Sequence, residues 1–328
     1  MSVIALVAAM LIGTADAKDS DRVPDRFTTQ NSSQAVDPSA HAPIDLEDVI
    51  VEGRRLEDIT REFVREVGSP ARGRGLARWD GQVCAGVLNL DRETSQYIAD
   101  RISTVAQDLG LEAGAPGCTP NILVIGAVDS SNFTRAMVRS RPLLFSGIGS
   151  GMDLGYAALR RFQNVDQPVR WWTVSAPIDT NTGQLAVRTR DMGGHISAGD
   201  ALTSPLLRSF AATRLSTQIV DETQRVFVIL DIDKLNQVST AQLGDYLAMV
   251  TLAQIDPDAE TQGYSSVLNL FDDPSRTEGL TNWDRAYLKG LYDTVRIRRD
   301  RNSSRAEIVA SIVDVRRDML EAEVDAQP

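Results

Sequence analysis

Residues 225–256 read RVFVILDIDKLNQVSTAQLGDYLAMVTLAQID, an apolar strand followed closely by an almost wholly apolar helix. Val226, Phe227, Val228, Ile229 and Leu230 form a β-branched and aromatic run of strand length. Ser239 then opens Ser-x-x-Gln, a capping box in which the Ser239 hydroxyl takes the Gln242 amide while Gln242 reaches back to the Ser239 amide. The pattern predicts a helix from 239 to about 255, stopped by Pro257. Leu243, Tyr246, Leu247, Val250 and Ala253 share one face, and Met249, Leu252 and Ile255 widen it. A helix so apolar is buried centrally. Its one charge is Asp245.

Two segments follow, Ser265-Ser266-Val267-Leu268-Asn269 and Leu280-Thr281-Asn282-Trp283-Asp284-Arg285. With strand, short loop, buried helix, turn and second helix in that order, residues 220–295 resemble zincin-like metallopeptidases. The tail is similar to the L-T-x-x-D-R-x-x-L-x-x-L-Y helix of certain uncharacterised bacterial zincin-like proteins. In that register Asp245-Tyr246-Leu247-Ala248-Met249 stands where those proteins carry H-E-x-x-H. That motif works because His at i and i+4 share a helix face and bind zinc, while the Glu between them activates water. Asp245, Tyr246 and Met249 cannot do this. Thioether and phenol are poor zinc partners, and no carboxylate replaces the general base. The chain's two histidines, His41 and His195, are not on this helix. The resemblance thus implies a zincin-like scaffold with degenerate zinc-helix positions, no metal, no cofactor and no catalytic residues.

The chain is long enough for a sizeable core in one large or two small domains. Its net charge of −11 argues against a general nucleic-acid binder. Residues 2–13 contain an apolar run that ends near Ala15-Asp16-Ala17, a small-x-small cleavage pattern. This reads as a signal peptide over 1–17, though without a basic n-region; the competing reading is a frayed cytosolic N-terminus. The run is too short for a membrane span, and no later segment is apolar for about 18 residues. Residues 18–43 are polar, carry His41, and read as a disordered linker. The remaining residues, 44–328, read as a single domain.

Ile44-Asp45-Leu46-Glu47-Asp48-Val49-Ile50-Val51-Glu52-Gly53-Arg54-Arg55 is similar to short segments of TonB-dependent receptors that add a strand to a periplasmic partner. The simpler reading is an ordinary first strand with a Gly-Arg turn. Residues 56–67 predict an amphipathic helix through Ile59, Phe63 and Val67. Seven Arg lie between 54 and 78 against four acids. Arg72 and Arg74, among glycines, suggest an anion site, or else arginines paired with the protein's own carboxylates.

Residues 82–90 and 121–128 read as strands joined by a helix over 92–109, a right-handed βαβ unit with parallel strands. Cys84 lies near the start of the first strand and Cys118 just before the second, at the same end of the parallel pair, and the two are expected to be disulfide-bonded. A short helix is expected near 132–138. The Gly-x-Gly-x-Gly run at 147–151 lacks a Walker Lys and reads as a loop. Residues 168–177 and 184–190 predict a hairpin, with Trp171 and Trp172 on opposite faces, one buried and the other marking a partner surface. His195 falls in a glycine loop, and Ser204-Pro205 opens a short helix. Thr281 opens a Thr-x-x-Asp capping box. Ser304 caps a last helix carrying Ile308, Ile312 and Met319, with residues 321–328 fraying.

The expectation is an α+β protein, a zincin-like mixed sheet with a central buried helix preceded by a βαβ unit. It reads as an exported, non-catalytic protein of a Gram-negative periplasm or a secreted one, not an integral membrane protein, that binds an envelope protein or a small ligand. The alternative is a metallopeptidase-like hydrolase with an unorthodox site, or one using carboxylates such as Asp231, Asp233 and Asp245.

Overall fold

A computed structural model describes residues 46–71, 74–145, 154–186, 219–294 and 301–325. At its centre is the strand β4 (Ile219–Asp231), which the apolar run at 226–230 puts between two others. β1 (Ala85–Leu88), β2 (Ile122–Ala127), β4 and β3 (Val169–Asp179) form one four-stranded sheet in the order β1-β2-β4-β3. β1, β2 and β4 are parallel, and β3 runs antiparallel along β4. The fold is α+β, with eight α-helices among the described residues.

Strand alternation divides the core. Val226, Val228 and Leu230 of β4 face a large cluster, while Phe227 and Ile229 face a smaller one. The large side is packed by α1 (Leu46–Val67), α2 (Arg92–Asp108), α6 (Thr240–Leu252), α7 (Asn282–Asp293) and α8 (Arg301–Asp325). The small side is packed by α3 (Ser130–Ser140), α4 (Pro142–Phe145) and α5 (Tyr156–Asn164). A sheet covered on both faces explains the continuous apolar run of β4. It also corrects the reading of the tryptophans: Trp171 and Trp172 do point to opposite faces, but both are buried. Trp171 Nε1 donates to Ile255 O at 3.0 Å and Trp172 Nε1 to Phe145 O at 2.8 Å, which satisfies the polar end of each ring.

The βαβ unit forms as its pattern predicts, with α2 capped by the Asp91 side chain on the Thr94 amide. Cys84 and Cys118 meet at disulfide distance, with Cα atoms 6.2 Å apart. Closing a loop of 34 residues contributes about 3–4 kcal/mol on the chain-entropy account.

Several expectations are revised. Residues 49–55 are not a strand; they belong to the 22-residue α1. Gly53 costs such a helix only about 1 kcal/mol, and the flanking Leu, Glu and Arg are good helix formers. The turn at 179–183 forms, with Asp179 Oδ1 accepting the Asn181 and Thr182 amides at 2.9 and 3.0 Å and Gly183 at φ 66°. The returning chain pairs briefly, through Ala186 N to Pro177 O, whereas the main partner of β3 is β4. α6 ends at Leu252 rather than near 255, because the backbone beyond it bonds to the end of α1. Ser69 N donates to Gln254 O at 3.0 Å and Asp256 N to Val67 O at 2.7 Å. α3 is longer than expected, and α8 begins at Arg301 and stays helical to Asp325. The signal-peptide and linker stretches, His41, Arg72, the glycine run at 147–151, His195 and the Ser204 helix lie outside the described residues. No helix among those described is long and apolar enough to cross a membrane.

Candidate functional site

α6 begins where its capping box requires. Ser239 N donates to Gln242 Oε1 at 2.8 Å and Gln242 N to Ser239 Oγ at 3.2 Å. Gln242 Nε2 also donates to Pro274 O and Thr277 O, at 2.9 and 2.7 Å, which ties the helix start to the turn before α7. Gly244, on the face toward α2, lets the two helices close up: a Cβ there would lie 3.1 Å from Tyr97 and 3.2 Å from Arg101. That approach brings Arg101 onto the next residue of α6.

Asp245 is thereby engaged at both oxygens. Oδ1 is paired with Arg101 Nε, and Oδ2 accepts the Leu280 amide at 2.8 Å. Gly279 is needed beside it, since a Cβ there would overlap Oδ2. Tyr246 points away, edge-on between Trp171 at 6.2 Å and Phe271 at 5.1 Å. Burial pushes its phenol well above the usual value, and the Asp272 charge adds to the effect. Met249 is wholly buried in the main core.

These positions do not fit zinc. Arg101 already puts a positive charge on the only anionic ligand of the three, and a dication there would have to displace it. Met249 offers a thioether enclosed by hydrocarbon, and Tyr246 faces another direction. Among the described residues no three His, Cys, Asp or Glu gather as a metal site.

On the Tyr246 side a cavity of about 290 Å³ opens between the start of β3, α6 and the chain that follows α6. Trp171, Tyr246 and Phe271 make an aromatic floor, with Ile255 and Leu268 beside them. Asp256, Asp258 and Asp272 stand on the rim. Burial raises the pKa of Asp256; the Arg161 charge opposes this and Glu66 adds to it. Arg161 is ion-paired with Asp258. The arrangement can hold an apolar body and neutralise a positive head.

Comparison with protein-family models, with curated proteins and with solved structures finds no match.

The carboxylates of the alternative hydrolase reading are not brought together. Asp231 accepts Ser130 Oγ at 2.7 Å, and the same Oγ accepts Arg170 Nη2 at 3.0 Å. Arg170 is 1 % exposed, and burial lowers its pKa. Asp233 is exposed on the turn after β4. Asp245 shares no partner with either. Arg74 is equally committed: it is 3 % exposed and lies 3.7 Å from Asp221, which also accepts the Gly75 amide. For Arg74 the reading as an arginine paired with the protein's own carboxylates is the one that holds.

Residues that the sequence did not single out carry much of this site. Arg101 sits 144 positions before Asp245, and nothing in the sequence links the two. Asp284 was legible as a cap, but its second role was not. It accepts Ser266 Oγ at 2.6 Å and the Val267 amide at 2.8 Å, which fastens the 265–269 segment to the start of α7. The one available signal was the pair of segments 265–269 and 280–285, which the sequence reading set side by side.

Proposed function

We propose that this is an exported, non-catalytic zincin-like protein of the periplasm or cell envelope, and that it binds a ligand in the cavity beside α6. The observation that carries the reading is the Arg101–Asp245 pair. It commits to a guanidinium the one carboxylate that the proposed zincin-like register would set at a zinc-ligand position. The order of β4, a short 3-10 turn, the buried α6, the 265–269 segment and α7 supports the resemblance to zincin-like proteins. A cysteine pair at disulfide distance is compatible with an oxidising compartment.

Metal analysis of the purified chain, paired with casein hydrolysis with and without chelator, tests this. We expect substoichiometric zinc and no chelator-sensitive hydrolysis. Stoichiometric zinc that Asp245→Ala removes would overturn the reading and restore the hydrolase alternative.

A further inference from the structure

The cavity beside α6 combines an aromatic floor, an acidic rim and a polar group with nothing to bond. Tyr246 is 6 % exposed and lines the cavity. Its hydroxyl has no hydrogen-bond partner among the described residues. The Asp272 carboxylate, also on the wall, acts electrostatically on that hydroxyl, so the polar end of the ring is turned to the rim. That hydroxyl is not among the enclosed polar atoms left without a partner; it opens to the cavity, where a ligand can bond it.

The charges favour one kind of ligand. Asp258 is paired with Arg161, but Asp256 and Asp272 form no ion pair among the described residues. No Lys, Arg or His is among the lining residues described. An anion would meet three carboxylates against one guanidinium, Arg161, which is already paired with Asp258. A neutral ligand would gain the aromatic floor and leave the rim unanswered. A cation gains both, from the ring faces and from the carboxylates.

We propose that this cavity binds a small organic cation, an ammonium head on an aromatic or short aliphatic stem. The stem lies against Trp171, Tyr246 and Phe271, the head faces Asp256 and Asp272, and Tyr246 Oη accepts a hydrogen bond from the ammonium. The volume of about 290 Å³ limits the stem to a single ring or a short chain. This rests on the binding-protein reading and names the ligand class for it.

Proton linkage follows from the rim. The Arg161 and Glu66 charges act on Asp256, its Oδ1 accepts the Asp258 amide at 3.0 Å, Asp258 and Asp272 line the same cavity, and burial favours its neutral form. An incoming cation favours the ionised form. Binding therefore releases a proton where Asp256 is partly protonated, and affinity declines on acidification.

The test is calorimetric titration of the purified full chain at neutral and mildly acidic pH. The probes are phenethylamine, its neutral analogue phenethyl alcohol and the anion hydrocinnamate, with a short lysyl peptide as a second amine. We expect saturable binding of an amine at least about tenfold tighter than of the alcohol, and none of the anion. Preference for the lysyl peptide over phenethylamine would assign the head to a protein side chain, and the reverse to a free amine. Asp272→Asn lies on the exposed rim and should weaken amine binding about tenfold with an unchanged melting curve. Tyr246→Phe keeps the ring and should weaken it by a smaller factor. Equal affinity for alcohol and amine, no amine saturation up to about 10 mM, or an Asp272→Asn variant that binds as the parent does would each overturn the proposal. Such a failure leaves the non-catalytic reading standing, whereas stoichiometric zinc with chelator-sensitive hydrolysis would remove that reading whatever the amines do.

Discussion

Asp245 is a carboxylate on the buried side of a helix, with 14 % of its side chain exposed, and it survives there because two donors meet it. Removing Arg101 leaves that charge with only the Leu280 amide. We expect Arg101→Ala to cost about 1–3 kcal/mol in urea denaturation, the range for a polar group stripped of its partner. The double variant Arg101→Ala with Asp245→Ala should cost clearly less than the sum of the two single changes, because no charge is then stranded. Strict additivity would mean that the pair is incidental. Four residues along, Met249 is wholly enclosed. Met249→Ala should lower stability by about 2–5 kcal/mol through lost contacts and a residual cavity. A variant indistinguishable from the parent would show that this position is not part of the packed core.

At the scale of elements, glycines set how closely the helices approach. A Cβ on Gly290 of α7 would lie 2.7 Å from the backbone N and Cα of Ile312 on α8, so α8 itself would have to move. Helix propensity alone favours Ala over Gly by about 1 kcal/mol. We expect the contact to win, with Gly290→Ala destabilising by about 1–3 kcal/mol in thermal or urea unfolding. At Gly244 the nearest atoms belong to the side chains of Tyr97 and Arg101, so Gly244→Ala should cost less than Gly290→Ala. Elements defined by local chemistry were legible beforehand: both capping boxes, the βαβ unit and the strand before α6 are read from residues a few positions apart. What was not legible depended on distant partners. The first half of α1 carries a β-branched Val49-Ile50-Val51 run that reads as strand, yet it continues a helix. β3 was legible as a strand, but its partner β4 begins 40 residues after it ends. One of Trp171 and Trp172 reads as exposed only if one face of the sheet is bare, and α3, α4 and α5 cover the face that holds Trp172. Asp245 was visible as the one charge of an apolar helix, but Arg101, which gives it its partner, was not.

For the whole molecule, the dependence of stability on pH sorts its carboxylates by burial. Asp91 and Asp129 cap exposed helix starts, and hydrogen bonds from Thr94 and Asn132 hold their pKa values below the ordinary one. Their contribution is present above the unfolded value of about 3.9 and is lost as pH falls through the folded value. Asp284 works in the other sense. It is fully buried, and burial raises its pKa despite bonds from Ser266, Thr281 and Val267. A carboxyl whose folded pKa is raised contributes stability that is complete below the unfolded value and is lost as pH rises through the folded value. Because the exposed caps act oppositely, the effect is read as a difference between the parent and Asp284→Asn, which cannot titrate. We expect the parent's advantage over Asp284→Asn, measured as urea stability, to be larger at mildly acidic than at alkaline pH. The caps cancel in that subtraction, since they are the same in both proteins. An advantage that is constant, or that grows with pH, would mean that the bonds to Ser266, Thr281 and Val267 hold Asp284 ionised. The joint between the 265–269 segment and α7 would then be a charged one rather than a neutral one.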